Sequence, residues 1–105
     1  MSIQVYHATD PTFGFGDDPA WPGSYERVAE VDVPDARYER AYELTNTIEK
    51  VWWENEGVQP DFDSPAFVEI KGVKGARSTS VGDVLVLSDG RVLRCASFGW
   101  DEVAA

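Results

Sequence analysis

The chain is short of the groups from which most catalytic and metal sites are built. It has one cysteine, Cys95, and one histidine, His7. A single thiol excludes an internal disulfide framework and a cysteine-rich zinc site, and a single imidazole excludes a multi-histidine metal centre. Long apolar runs are missing too. The longest, Val84 to Leu87, holds four residues, against the ~20 that a membrane-spanning helix needs. The N-terminus carries neither a basic start nor an apolar stretch of signal-peptide length. Positive charge is also scarce: nineteen acids face nine bases, for a net charge of −10. That balance disfavours attraction to nucleic acid or to an anionic membrane. The expectation is a soluble, acidic, cytoplasmic protein.

What is present is core-forming material. With 105 residues, 43% hydrophobic and 12% aromatic, the chain suits one domain, 1–105, with a single packed core. Ile3 and Val5 alternate with Gln4 and Tyr6, a period of two that predicts a strand over residues 2–8. Residues 9–24 contain Pro11, Gly14, Gly16, Pro19, Pro22 and Gly23 and read as a long loop. Its aromatics Phe13, Phe15 and Trp21 are expected to fold back on the core, the alternative being a recognition surface. A second strand fits residues 25–33 and ends at Pro34.

Residues 35–56 carry the clearest helical pattern. Ala41, Leu44, Thr45, Ile48, Val51, Trp52 and Asn55 recur at spacings of three and four, so one stripe is apolar. Asp35 is a candidate N-cap, and Gly57 is placed to end the helix. The helix would be roughly 30 Å long. Trp53 points about 100° away from Trp52 and cannot share its burial fully. Residues 58–65 read as an acidic loop, 66–73 as a strand and 71–80 as a polar, basic turn. The Asp89-Gly90 pair between Val84–Leu87 and Val92–Phe98 is a strong hairpin signal, and residues 100–103 form a short last element. This order does not alternate as a parallel α/β protein would. It predicts an α+β fold: an antiparallel sheet of about five strands with one long helix packed on one face.

Charge is distributed unevenly. Residues 1–63 hold 14 acids and 4 bases, whereas residues 64–105 hold five of each. The acidic excess is either a solvated face or a surface aimed at a basic partner. Sites for chemistry are sparse. His7 sits mid-strand, and Cys95 lies in the returning strand of the hairpin, where a buried, inert thiol is the default. Asp17-Asp18 and Asp61-x-Asp63 do not continue into a calcium loop. The run Lys71, Lys74, Arg77 with its glycines matches no phosphate-binding loop. Glu54 and Glu56 would oppose the helix dipole, which is locally unfavourable; the default is a solvent-exposed helix end, the alternative a pair retained for a contact. Four tryptophans stand in the chain, and tryptophan is enriched at binding hot spots.

The segment from Arg77 to Val103 carries a recognisable pattern: Ser78-Thr79-Ser80-Val81-Gly82-Asp83-Val84, a hydrophobic strand, a turn, then a strand ending Ser97-Phe98-Gly99-Trp100. It resembles the C-terminal motif of YodL-like domains, which occur in mobile-element proteins and in small proteins of actinobacterial phages. The likeness spans about a quarter of the chain. Val51-Trp52-Trp53-Glu54 also suits the phage versions, while Trp100 stands where Phe is commoner. The resemblance implies a setting, a phage or conjugative element in a host cytoplasm, and no particular activity. The motif itself reads first as a hairpin specification, with the question open whether Ser78, Ser80, Asp83 and Ser97 face one pocket.

These readings converge on a non-enzymatic phage or mobile-element accessory protein that binds a host protein, with no cofactor and no metal. The expected surface is acidic and aromatic: Asp17, Asp18, Trp21, Glu49, Trp53, Glu54, Glu56, Asp61, Asp63 and Trp100. DNA mimicry is one form it would take. The alternative is a nucleic-acid-associated module using Lys71, Lys74, Arg77, Arg91 and Arg94. A third reading is a small enzyme built on His7, Cys95 and Asp83.

Overall fold

The period-two segments become strands where alternation places them. The computed structural model of the chain describes residues 2–12, 15, 19–47 and 51–103. Its strands are β1 (Ile3–Ala8), β2 (Tyr25–Val31), β3 (Val58–Pro60), β4 (Val68–Ile70), β5 (Val73–Gly75), β6 (Val84–Val86), β7 (Val92–Cys95) and β8 (Trp100–Glu102). Six form one sheet in the order β3-β2-β1-β6-β7-β8, while β4 and β5 pair separately. Every neighbouring pair is antiparallel. The fold is α+β, with one helical segment packed against the sheet.

Alternation divides the core between the two faces of the sheet. Ile3, Val5, Val31, Leu85 and Leu93 are buried on one face with Ala41 and Trp52, and Tyr38 and Leu44 pack against them. Ala8, Tyr25, Val84 and Val92 form the second cluster, covered by Trp21 from the long N-terminal loop. Trp21 meets Tyr6 and Tyr25 edge-on at 5.0 and 5.3 Å. Between the pairs Val5↔Ala29 and Tyr6↔Arg27, Val28 is an extra residue in β2. This bulge lets adjacent Val28 and Ala29 both be fully buried.

The helix is shorter than its periodicity suggests. A 3-10 turn at Asp35–Arg37 leads into α1 (Tyr38–Thr45), and the chain leaves helical geometry at Asn46. Three contacts explain the stop. The Thr45 hydroxyl bonds back to the Ala41 carbonyl at 2.9 Å. The Asn55 side-chain amide donates to Leu44 O at 2.7 Å, and the Thr79 N–H donates to Thr45 O at 2.9 Å. Carbonyls that a longer helix would satisfy internally are taken by distant donors. Val51 is extended, Trp52–Glu54 form a separate 3-10 turn, and Ile48 lies outside the described residues. Gly57, at φ +86°, turns the chain into β3 and is not the end of a long helix.

Two other expectations change. Asp35 does not cap the helix: its carboxylate accepts Ser88 N–H at 2.8 Å, Ser88 O–H at 2.7 Å and Asp89 N–H at 3.1 Å. It braces the β6–β7 turn instead, and the Ser88 hydrogen bonds hold its carboxyl below the usual range. The segments read as loop and basic turn supply β3 and β5. Pro60, which lacks an amide hydrogen, sits on the outer strand of the sheet.

Candidate functional site

His7 lies far along the chain from Arg77 and Asp83, which are six residues apart, and the fold brings the three together. Asp83 is fully buried. Its carboxylate accepts Ala8 N–H at 2.9 Å, Ser80 N–H at 2.7 Å and both terminal nitrogens of Arg77. Arg77 also donates to Ala8 O at 3.1 Å. A buried carboxylate that receives a bidentate guanidinium and two amides is a satisfied ion pair. It ties the end of β1 to the 76–83 segment. His7 Nε2 lies 2.8 Å from Thr79 Oγ1 and 3.9 Å from Asp83 Oδ2.

Burial pulls His7 from its usual 6.5 down to about 4, with Asp83 working against the shift and Arg77 reinforcing it. The ring is therefore neutral at pH 7. A general base in a nucleophile relay bonds the nucleophile through one ring nitrogen and its orienting carboxylate through the other. Here both partners sit at Nε2, and Thr79 and Asp83 are sealed from solvent. Cys95 lies on β7, separated from β1 by β6. Burial, reinforced by the Asp83 charge, pushes its thiol up to about 11. His7, Thr79, Asp83 and Cys95 are thus not arranged as a nucleophile relay.

Of Ser78, Ser80, Asp83 and Ser97, Asp83 is fully buried and Ser97 alone lines a cleft against α1. Ser80 Oγ donates to Ser78 O at 3.0 Å beside Asp83.

A more open feature lies beside the small hairpin. Lys71 and Gly72 take positive φ of 53° and 81°, the conformation of a tight two-residue turn between β4 and β5. Val68 pairs with Gly75, which lies two residues along β5 from Val73, so Val68 and Val73 share one face of the hairpin. Val68 is 60% exposed and Val73 68% exposed. With Val51 and Trp53 they line a groove of about 500 Å³. Trp53 forms its floor. It stands perpendicular to buried Trp52 at 5.5 Å and to Phe67 at 5.8 Å, and Phe67 in turn meets half-exposed Phe62 at 5.1 Å. Gly75 permits the close approach, since a Cβ there would lie 3.2 Å from Trp53 Cη2. Exposed apolar side chains gathered over an aromatic floor are the mark of a contact surface.

The ten residues expected to form one surface are dispersed. Trp53, Glu54 and Glu56 surround the second 3-10 turn, and Asp61 and Asp63 follow β3. Glu54, Glu56 and Asp63 are exposed, while Asp61 pairs with Arg27 at 3.4 Å. Trp21 packs on the opposite face of the sheet. Trp100 packs between Tyr38 and Tyr42, perpendicular to both, at 5.7 and 5.6 Å. Asp17, Asp18 and Glu49 lie outside the described residues.

The five bases of the alternative reading do not form one stripe either. Arg77 is held by Asp83. Arg94 reaches Tyr25 Oη and Pro19 O across the back of the sheet, and Arg91 pairs with Asp89 at 2.9 Å. Lys74 Nζ donates to Phe62 O at 3.2 Å.

No protein-family model, curated protein or solved structure matches the chain. Among the described residues no three potential metal ligands gather, and no helix is long and apolar enough to cross a membrane. Val68 and Val73 are the groove residues that the sequence reading did not single out: it placed one strand over 66–73, and nothing local says that the segment turns back as a hairpin apart from the main sheet.

Proposed function

We propose that the chain is a non-enzymatic binding protein that docks a protein partner on the groove formed by Val51, Trp53, Val68 and Val73. The observation that carries this reading is the exposure of Val68 and Val73 beside a tryptophan floor. Two exposed valines on one hairpin face lose hydration cost when covered, and a large aromatic beneath them is a favourable anchor point. Glu54, Glu56, Asp63 and Glu69 are exposed on the segments that build the groove. The bases on those segments are Lys71, Lys74 and Arg77, of which the last two are engaged within the fold. With a net charge of −10, the partner of best complementarity sets aliphatic or aromatic side chains among lysines and arginines. A host protein met by a phage or mobile element in the host cytoplasm is the setting in keeping with the YodL-like motif. A DNA-mimic ridge along a long helix has no support here, because the described helix stops at Thr45.

The test is affinity capture from a host lysate, then binding of the purified partner to wild type and to Val68→Asp, Val73→Asp and Phe98→Asp proteins. All three positions are exposed, so the variants should fold. Loss of the partner with the valine variants and retention with Phe98→Asp supports the groove. Equal binding by all three, or recovery of nucleic acid alone with a steep salt dependence, overturns it.

A further inference from the structure

We propose that the cleft between α1 and the β7–β8 turn is a binding site for an organic cation, an alkylammonium or guanidinium group. The cleft has a volume of about 420 Å³ and lies on residues separate from the Trp53 groove, so the two proposals fail independently.

Its walls are aromatic and its charges are all of one sign. Tyr42 and Trp100 line it with their ring planes perpendicular, at 84° and 5.6 Å between centroids. The other titratable groups lining it are Glu39, Glu43 and Cys95. The phenol of Tyr42 is held above its usual 10 by burial, so the ring stays neutral. The Cys95 thiol, pushed up to about 11, stays neutral as well. The net charge facing the cleft is therefore carried by two carboxylates.

Glu39 and Glu43 are one turn apart on α1, both exposed, and repel each other at that spacing. Arg37 and Arg40 are the nearby competitors, lining an adjoining hollow with both glutamates, and of the two Arg40 makes an ion pair. It reaches Glu43 Oε2 at 3.5 Å, with both side chains about half exposed, and an exposed pair of this kind is weak. Glu39 has no hydrogen-bond or ion-pair partner among the described residues. A cation seated between these carboxylates and the aromatic walls gains charge neutralisation and quadrupole attraction together. A neutral guest of the same shape gains neither, and an anion is repelled.

The experiment follows the backbone and indole N–H signals of the whole chain by NMR during titration. The probes are tetramethylammonium chloride, N-acetyl-lysine methylamide and N-acetyl-arginine methylamide. Sodium chloride at matched ionic strength and tert-butanol, a neutral molecule of similar shape to the first probe, are the controls. The expected result is a saturable, millimolar shift of the Trp100 indole and of α1 amides with at least one cation. The controls should not produce it. A Glu39→Gln/Glu43→Gln double variant, whose spectral dispersion reports its fold, should bind at least about fivefold more weakly. Response to tetramethylammonium alone identifies a small quaternary amine as the ligand, whereas response to the amino-acid derivatives identifies a side chain of a basic protein. Saturable binding of tert-butanol with equal affinity, unchanged affinity in the double variant, or no saturable shift with any cation overturns the proposal.

Discussion

Lowering the pH from about 7.5 to about 5 should destabilise this protein through His7 alone, before most carboxylates begin to titrate. The imidazole is 2% exposed and has its pKa pulled from 6.5 to about 4 in the folded state. The unfolded chain therefore binds a proton that the folded chain refuses, and stability rises with pH across that window. The His7 contribution is fully present above the unfolded value. It is lost progressively as pH falls, reaching about 2 kcal/mol at pH 5 and about 3 kcal/mol once the folded ring protonates. The acidic excess works in the opposite direction, since partial protonation of crowded carboxylates relieves repulsion. A net loss therefore points to the histidine. Urea unfolding at several pH values gives the slope. The sole histidine in the chain gives an unambiguous NMR titration whose midpoint should lie near 4. A His7→Gln protein should lose the slope. A folded-state midpoint near 6.5, or an equal slope in the variant, would refute the reasoning.

Three further outcomes follow from the packing. Asp83→Asn should cost about 3 kcal/mol in urea unfolding, because it strips the bidentate partner from Arg77 inside a buried network. Asn55→Ala should cost about 1 kcal/mol and speed hydrogen exchange at the end of α1, since the side chain that holds the Leu44 carbonyl is gone. Gly90→Ala should cost about 1 kcal/mol by thermal unfolding from backbone strain alone, because φ is +96° and the space around a Cβ is empty.

Local signals were read well wherever local forces decide. Alternation located β1 and β2, and Asp89-Gly90 located the turn between β6 and β7, with Gly90 at positive φ. The helix failed at its end because the donors that stop it, Asn55 and the Thr79 amide, come from distant parts of the chain. The run Thr45-Asn46-Thr47 is a weak helix former, a local signal that the reading from apolar spacing did not use. Asp35 had cap chemistry but found better donors in Ser88 and Asp89 across the fold. Of the candidate surface, Trp53 was legible as the tryptophan that the apolar stripe did not require. The groove above it depends on how the β4–β5 hairpin sits against the second 3-10 turn, a tertiary relation with no sequence period. The same holds for Arg77, read as part of a basic run and found locked to Asp83.

The most direct test of the binding account is the ratio of dissociation constants for the purified partner, measured by calorimetry with Val73→Asp and Phe98→Asp proteins. Val73 lines the groove, whereas Phe98, 98% exposed, lies at the β7–β8 turn. A charge buried at a contact centre should weaken binding by about 30-fold or more, and one outside it by less than about threefold. The account predicts the large loss at Val73. The reverse order, or equal affinities, contradicts it.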